Sequence, residues 1–598
     1  MRRRERSRIK IRKGGSAPDV ADTDGPPPVL DPSASMTRRE FLRDAATAAA
    51  AIGAGALALR THVSARGAEP VQAADRADAR EEPYAGNWAT WVLRSGSEVR
   101  VPPPAPAVSP RGATELAQLE QAQLERTQDQ INAARFWDTG PATRRWTELC
   151  LEMIQTHRPN PPRAARGLAL VHVAMYDALV AAWHAKHLFN YPAPASVDSE
   201  ITPAVRPRNT PSYPSEHAVA AGAASEVLKY LFPRQGSAWF EAKAKEASAS
   251  RIWAGVDWPS AVEQGLILGR TVADRVVARA AADGSDAAWD GKRVAGACSW
   301  RPTPPGFVYP PLEPGWGKVT PWLLMSASAR RPGPPSQCGS ADERDQYLEV
   351  YRTGEGLTEE QKKIALFWND APGTFTPPGH WFDIALGQLK RFNINTPRAA
   401  RIGAYLGVVV MDTSICVWDC KYAYWSVRPI TYIRDHVDPN WTSLITTPPF
   451  PGYVSGHSAF SAGAAEWLGY TVPSERAAVR SLAAEAALSR LYGGIHTRGD
   501  NATGAAMGKL LGALVSARAL GDDVEDLVGR GALDRRRGDS LRATLDAAVT
   551  SANQKNMERA IGGLRAFVGQ VEAALGPQDA GPLSTSAREI LAQFAAAI

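Results

Sequence analysis

The feature that most constrains this chain is that it repeats itself. Trp146 is followed by Pro162-Arg163-Ala164-Ala165-Arg166, then Asp177, Trp183 and Lys186; adding 235 gives Trp381, Pro397-Arg398-Ala399-Ala400-Arg401, Asp412, Trp418 and Lys421. Tyr213-Pro214-Ser215-Glu216-His217 returns at an offset of 240 as Tyr453-Val454-Ser455-Gly456-His457. Ser250-Arg251 with Asp257 returns at 239 as Ser489-Arg490 with His496. Matched Trp, Lys, Arg and His at nearly constant offset argue against chance similarity between Ala-rich helices. Apolar residues recur at helical spacing and strand-like alternation is scarce, so the chain is expected to be all-α.

The repeat divides the sequence. A first helical bundle is expected over 141–265, a connecting segment over 266–380 and a second bundle over 381–520. An extended and helical N-terminal segment, 67–140, precedes them, with a helix near 113–135. The connecting segment is rich in Pro, Gly and Trp around Trp300 to Pro305 and reads as an ordered wrap over the bundles. A Gly/Ala-rich helix after Asp500 should run to about Leu520, followed by a charged stretch, 521–540, and a small C-terminal helical module, 541–598. No run after the leader reaches membrane-spanning length, so no stable membrane span is expected.

Charge excludes one class of partner. The chain carries a formal +6, but residues 1–66 hold thirteen Arg/Lys against seven Asp/Glu, so 67–598 sums to zero and gives no electrostatic case for nucleic acid. Within that leader, Thr37-Arg38-Arg39-Glu40-Phe41-Leu42-Arg43 precedes a weakly apolar stretch, Ala45 to Leu59. The pattern resembles a twin-arginine export signal, which implies the twin-arginine machinery as a partner and an extracellular or periplasmic destination.

Five cysteines cannot all pair with one another. Cys298 and Cys338 share one irregular segment and could be bridged outside the cytoplasm; buried thiols are the expectation for most of them. Cys416 and Cys420 lie one helical turn apart with no neighbour to complete a zinc set.

Candidate chemistry is concentrated between Lys421 and Asp500. Lys421 and Arg428 are seven residues apart, so both cations are expected on one helix face before Pro429 disrupts the helix. Aromatic flanks argue that they are buried, and buried cations need an anion. Ser455-Gly456-His457 stands at the start of an Ala-rich helix, where Ser455 can cap and the Gly456 N–H can face an anion. Arg490 should end one helix and His496 begin the next, with Gly493-Gly494 between; Asp500 can accept the His496 ring N–H and fix its tautomer. In the first copy the partners of Arg428, Gly456 and His496 are Ala193, Glu216 and Asp257, and two carboxylates there would repel an anion. The second copy is therefore the candidate site.

Taken together, Lys-x6-Arg-Pro, Ser-Gly-His and Ser-Arg-x5-His-x3-Asp resemble the signature of the vanadium-dependent haloperoxidases and the type 2 phosphatidic acid phosphatases. The long duplicated chain is similar to the haloperoxidase branch, and the resemblance implies two related four-helix bundles with irregular connecting segments. It also implies vanadate as cofactor, phosphate as an isosteric competitor, and no haem, flavin or zinc. On that resemblance His496 is the axial ligand to vanadium, while Lys421, Arg428, Ser455, Gly456 and Arg490 bind the equatorial oxygens. His457 assists deprotonation of hydrogen peroxide, Lys421 polarises it, and Trp418 and Phe450 line a halide pocket. Hydrogen peroxide and halide are the implied substrates, with an organic acceptor as an optional further partner. Trp183 repeats Trp418 in the copy without a site, which also fits a packing role. Val454 replaces the family's usual proline, which should loosen the loop. The same constellation supports the alternative of an exported acid phosphatase acting through a phosphohistidine at His496.

Overall fold

The computed structural model describes residues 82–597; the twin-arginine pattern and its apolar stretch lie outside the described residues. Among the described residues there are helices and two isolated β-bridges but no strands. Four helices form a first bundle: α1 (Pro161–Phe189), α2 (Glu216–Leu231), α3 (Ser237–Trp253) and α4 (Pro259–Ala281). Four more form a second: α5 (Thr396–Tyr424), α6 (Gly456–Thr471), α7 (Arg476–Tyr492) and α8 (Arg498–Gly529). The expected all-α pair of related bundles is what the chain adopts.

Local sequence explains the long central helices. Asn160 and Asn395 cap α1 and α5 by accepting the amides of Arg163 and Arg398, with proline in the first turn of each. Both helices end on a left-handed residue, Asn190 at φ 45° and Trp425 at φ 52°. They pack against each other and join the two bundles. Close approach depends on small residues: a Cβ on Gly407 of α5 would lie 2.7 Å from the Ala169 backbone of α1, and one on Gly508 of α8 2.0 Å from the Ala459 carbonyl. Both central helices are long and apolar enough to cross a membrane, contrary to the sequence expectation, but 94% and 100% of the apolar windows are buried inside the protein. They are core helices whose apolar faces the rest of the chain covers.

Two straps extend the duplication beyond the motifs. Glu82-Pro83 with Trp91-Val92-Leu93 matches Glu313-Pro314 with Trp322-Leu323-Leu324 at an offset of 231. Glu82 pairs with Arg398 of the second bundle, while Asp177 of the first accepts the amides of Trp91, Val92 and Leu93 at 2.7 to 3.0 Å. The other strap reverses this: Glu313 pairs with Arg163 of the first bundle, and Asp412 of the second accepts Trp322, Leu323 and Leu324 at 2.7, 2.9 and 3.1 Å. Each strap thus ties one bundle to the other. Burial raises both carboxyls to about 6 even against three lowering amide bonds.

Two helix ends differ from the expectation. The last bundle helix runs to Gly529, past Leu520, and the C-terminal helices start at Arg535, inside the charged stretch. The charges are paired across helices: Arg401 meets Asp522, and Glu525 takes both Arg535 and Arg542. Helices Arg535–Asn553, Met557–Ala574 and Pro577–Ala595 stack on one another and on α8. Cys298 and Cys338 are disulfide-bonded, while Cys150, Cys416 and Cys420 are buried free thiols.

Candidate active site

The five elements carrying the second-copy motifs converge. Lys421 lies in the last turn of α5, but Arg428 is not on that helix. Trp425 turns the chain left-handed, and Arg428 becomes the N-cap of the helix Pro429–His436, so Pro429 starts a helix where a break was expected. The 425–427 linker is held by the connecting segment: Trp300 N donates to Trp425 O at 2.6 Å and Val427 N to Cys298 O at 3.0 Å.

Lys421 is fully buried and donates to the carbonyls of Pro451, Gly452 and Val454 at 2.9, 2.7 and 2.7 Å. All three protons are thus engaged in holding the 451–454 loop, so the loop is not loosened by Val454. The Tyr453–Val454 bond is cis, as is Tyr213–Pro214 in the first copy. Arg428 is also fully buried; its Nε donates to Phe450 O at 2.8 Å, and Nη1 to Ile495 O at 3.0 Å and His496 Nε2 at 3.1 Å. Its Nη2 is buried without a partner. Burial pulls Lys421 well down and Arg428 to about 10.

His496 stands just ahead of α8, whose cap is Thr497, so it precedes the helix and does not begin it. Its Nδ1 lies 2.9 Å from Asp500 Oδ2, and Asp500 also completes a capping box with Thr497. Asp500 can only accept from Nδ1, which leaves the Nε2 lone pair facing Arg428. Burial, then Arg428, Lys421 and Arg490, hold the His496 pKa well below its usual value, so the ring is neutral at neutral pH.

Ser455 caps α6 by accepting from Ser458, so Gly456 is its first residue, with an N–H that has no intrahelical partner. A Cβ on Gly456 would meet nothing closer than 3.7 Å, so packing alone does not demand glycine there. Arg490, fully buried in α7, donates to Ser489 Oγ at 2.9 Å, Trp368 O at 2.6 Å, Ala365 O at 3.3 Å and His457 Nε2 at 3.2 Å. Burial lowers Arg490 to about 10. His457 is partly exposed, and burial followed by Arg490 and His496 hold it well below its usual pKa. Trp418 and Phe450 pack against each other at 5.1 Å; the Phe450 ring lies 5.1 Å from Lys421 Nζ and 4.9 Å from the Arg428 guanidinium. Trp418 also donates to Leu312 O at 3.1 Å, tying the connecting segment to the site.

The candidate residues therefore form one largely buried cluster. The three cations lie near the carboxylates of Asp500 and Asp370, one guanidinium nitrogen of Arg428 is buried without a partner, and a helix start offers a free N–H. A tetrahedral oxyanion fits that donor set. Sequence reasoning missed Asp370 and His380, whose side chains meet at 3.1 Å beside His457. The signal was a Phe-Trp-Asn-Asp run at 367–370 that echoes Phe136-Trp137-Asp138 with one residue added. A cleft of about 570 Å³ lies on the other side of Asp500, lined also by the Cys298–Cys338 bond, Tyr347, Tyr424 and Tyr453.

The first copy is filled from within. Arg208 pairs with Glu216 at 3.3 Å, Arg251 with Asp138 at 2.8 Å, and Asp257 accepts from Ser215 at 2.6 Å, around a cavity of only about 30 Å³.

Comparison with known proteins places both copies. The model of the second helical-bundle domain of vanadium chloroperoxidase (VCPO) matches residues 401–481, and the model of the PAP2 superfamily matches residues 167–281. The chain is 23% identical over 395 residues to the vanadium chloroperoxidase of Curvularia inaequalis, a match covering 53% of this chain and 63% of that protein, less than two thirds of its length. The crystal structure of the first bacterial vanadium-dependent iodoperoxidase is similar with a TM-score of 0.52 at 26% identity, over 62% of this chain and 95% of that one.

Proposed function

We propose that this chain is a vanadium haloperoxidase of the PAP2 superfamily, a reading that the matches of its two bundles support, that its second-copy cluster binds orthovanadate, and that it oxidises halide with hydrogen peroxide. The reaction is H2O2 + X⁻ + H⁺ → HOX + H2O. Orthovanadate, when bound, supplies a Lewis acid that activates peroxide without changing oxidation state. The observation that carries the reading is the His496 ring, its Nδ1 on Asp500 and its Nε2 turned to Arg428, beside the unpartnered nitrogen of that guanidinium.

The chain's own residues divide the work. Arg428, Arg490 and the Gly456 N–H would hold the oxyanion, with Ser455 at the helix start, while Lys421 fixes the 451–454 loop and would add its charge to the cluster. His496 would hold the group through Nε2, with Nδ1 fixed by Asp500. His457, whose Nε2 lies 3.2 Å from Arg490 Nη1, would take a proton from incoming peroxide once that contact is given up and return it to the departing oxygen. Trp418 and Phe450 form an apolar wall beside the cations, a setting suited to a weakly hydrated halide.

Export is the companion proposal. The twin-arginine pattern at 37–43 and the Cys298–Cys338 disulfide both support an oxidising compartment.

The purified chain loaded with vanadate should brominate a dye in the presence of peroxide and bromide, and His496→Ala should abolish this. Rapid hydrolysis of p-nitrophenyl phosphate, inhibited by vanadate and with no halide oxidised, would instead assign the phosphatase chemistry of the same superfamily.

A further inference from the structure

We infer that Ser458 and Asn501 orient the Ser455 hydroxyl so that its proton points at the oxyanion, which makes both of them positioning residues of the pocket. The inference rests on the proposed oxyanion pocket and deepens it.

The two copies share one backbone frame at this corner. Ser215 N donates to Ala261 O and Ser455 N to Asp500 O, each at 3.0 Å. Each serine caps the bundle helix that follows it by accepting an amide at 3.4 Å, from Ala218 in the first copy and from Ser458 in the second. The use of the hydroxyl proton differs. Ser215 Oγ donates to Asp257 Oδ2 at 2.6 Å, and Asp257 is the residue that stands where His496 stands. In the second copy that place holds an imidazole whose Nδ1 is on Asp500 and whose Nε2 is turned to Arg428, so it offers the serine no acceptor.

Ser455 Oγ is instead the acceptor in both of its contacts, from Ser458 N at 3.4 Å and from Ser458 Oγ at 2.9 Å. Two donors engage its two lone pairs, and the O–H is left for the remaining direction. The shared frame identifies that direction as the one in which Ser215 reaches Asp257, toward the ground between the helix start and His496 where an oxyanion would sit.

Ser458 is held in turn. Its Oγ lies 3.1 Å from the side-chain amide of Asn501 on α8. One hydroxyl proton serves one acceptor at a time, so Ser458 cannot donate to Ser455 and to Asn501 together. With the amide turned so that Nδ2 faces Ser458, each group donates once and in one direction: Asn501 to Ser458, Ser458 to Ser455, Ser455 to the oxyanion. Each bond in such a chain polarises the next. Ser458 and Asn501 are both buried, and Ala218 and Val262 stand in their places in the copy whose serine is taken by a carboxylate. A hydroxyl and an amide buried where alanine and valine fit are costly unless they hydrogen-bond, and the relay is what they bond into.

Calorimetry with orthovanadate and with inorganic phosphate on the full chain tests this. Ser455→Gly removes the hydroxyl and leaves a residue that helix caps accept; it should weaken binding of both anions about tenfold. Ser458→Ala and Asn501→Val write in first-copy residues that the same frame already accommodates, so the fold should be kept. Ser458→Ala should weaken binding roughly fivefold in the wild-type background and not at all on top of Ser455→Gly, because the relay acts only through that hydroxyl. Asn501→Val should weaken it roughly twofold, and not at all on top of Ser458→Ala. If Ser458→Ala binds both anions as wild type does, or its loss adds in full to that of Ser455→Gly, Ser458 is a packing residue and the inference is overturned. Ser455→Gly binding as wild type does would also overturn it, and would leave the pocket standing. Wild type binding neither anion would overturn the pocket itself and the inference with it.

Discussion

The two bundles share helices, straps and a motif frame, yet their buried clusters differ in how their cations are matched by carboxylates. In the first, Lys186, Arg208 and Arg251 are matched by Glu216, Asp257 and Asp138, all turned inward around about 30 Å³. In the second, Lys421, Arg428 and Arg490 face only Asp500 and Asp370, and both of these bind imidazoles. The lesson is that the fold does not make the site. A few carboxylates decide whether a buried cationic pocket neutralises itself or waits for a ligand.

Breaking the second pocket at its centre should have the largest effect. His496→Ala should lower bromide oxidation on the order of a thousandfold or more while the fold remains, because it removes the one neutral nitrogen facing Arg428. Writing the first copy into the second comes next. Gly456→Glu puts a carboxylate at the mouth of α6, where the equivalent Glu216 has Arg208 as partner but the second copy has no counterpart; orthovanadate affinity by calorimetry should fall roughly a hundredfold. Removing the residue that orients the nitrogen should cost less. Asp500→Ala should reduce halide oxidation roughly tenfold to a hundredfold, in line with outer-shell partners of metal-bound histidines.

Much of this was legible in the repeat. Lys421, Arg428, Ser455, Gly456, His457, Arg490, His496 and Asp500 do meet, because each sits at a helix end whose position the capping residues declare. The path from Lys421 to Arg428 was misread as two turns of one helix, since an aromatic residue, Trp425, makes the left-handed stop. Its partner in the first copy, Asn190, is the residue type that commonly ends helices this way and would have marked the boundary. Asp177 and Asp412 were visible as a matched pair, but the backbone amides they bind lie about 86 and 90 residues away in the chain, a separation no local pattern reveals. Asp370 and His380 were hidden for the same reason, since His457, beside which they meet, lies far along the chain.

A further prediction concerns stability, at the seam between the copies. His172 of α1 packs against Phe382 and the Gly403 backbone, donates to Leu168 O, and burial holds its pKa at about 4 against an unfolded 6.5. The unfolded chain takes up this proton first as pH falls. Stability should therefore drop between pH 6.5 and 4 by about 3 kcal/mol from this group alone, and His172→Gln should flatten that part of the unfolding curve in urea.

The central claim, that only the second copy holds an oxyanion, is tested most directly by the number of orthovanadate ions bound per chain in a calorimetric titration. The account predicts one site, lost in His496→Ala and untouched in His217→Ala. Two sites, or one that survives His496→Ala and disappears with His217→Ala, would contradict it.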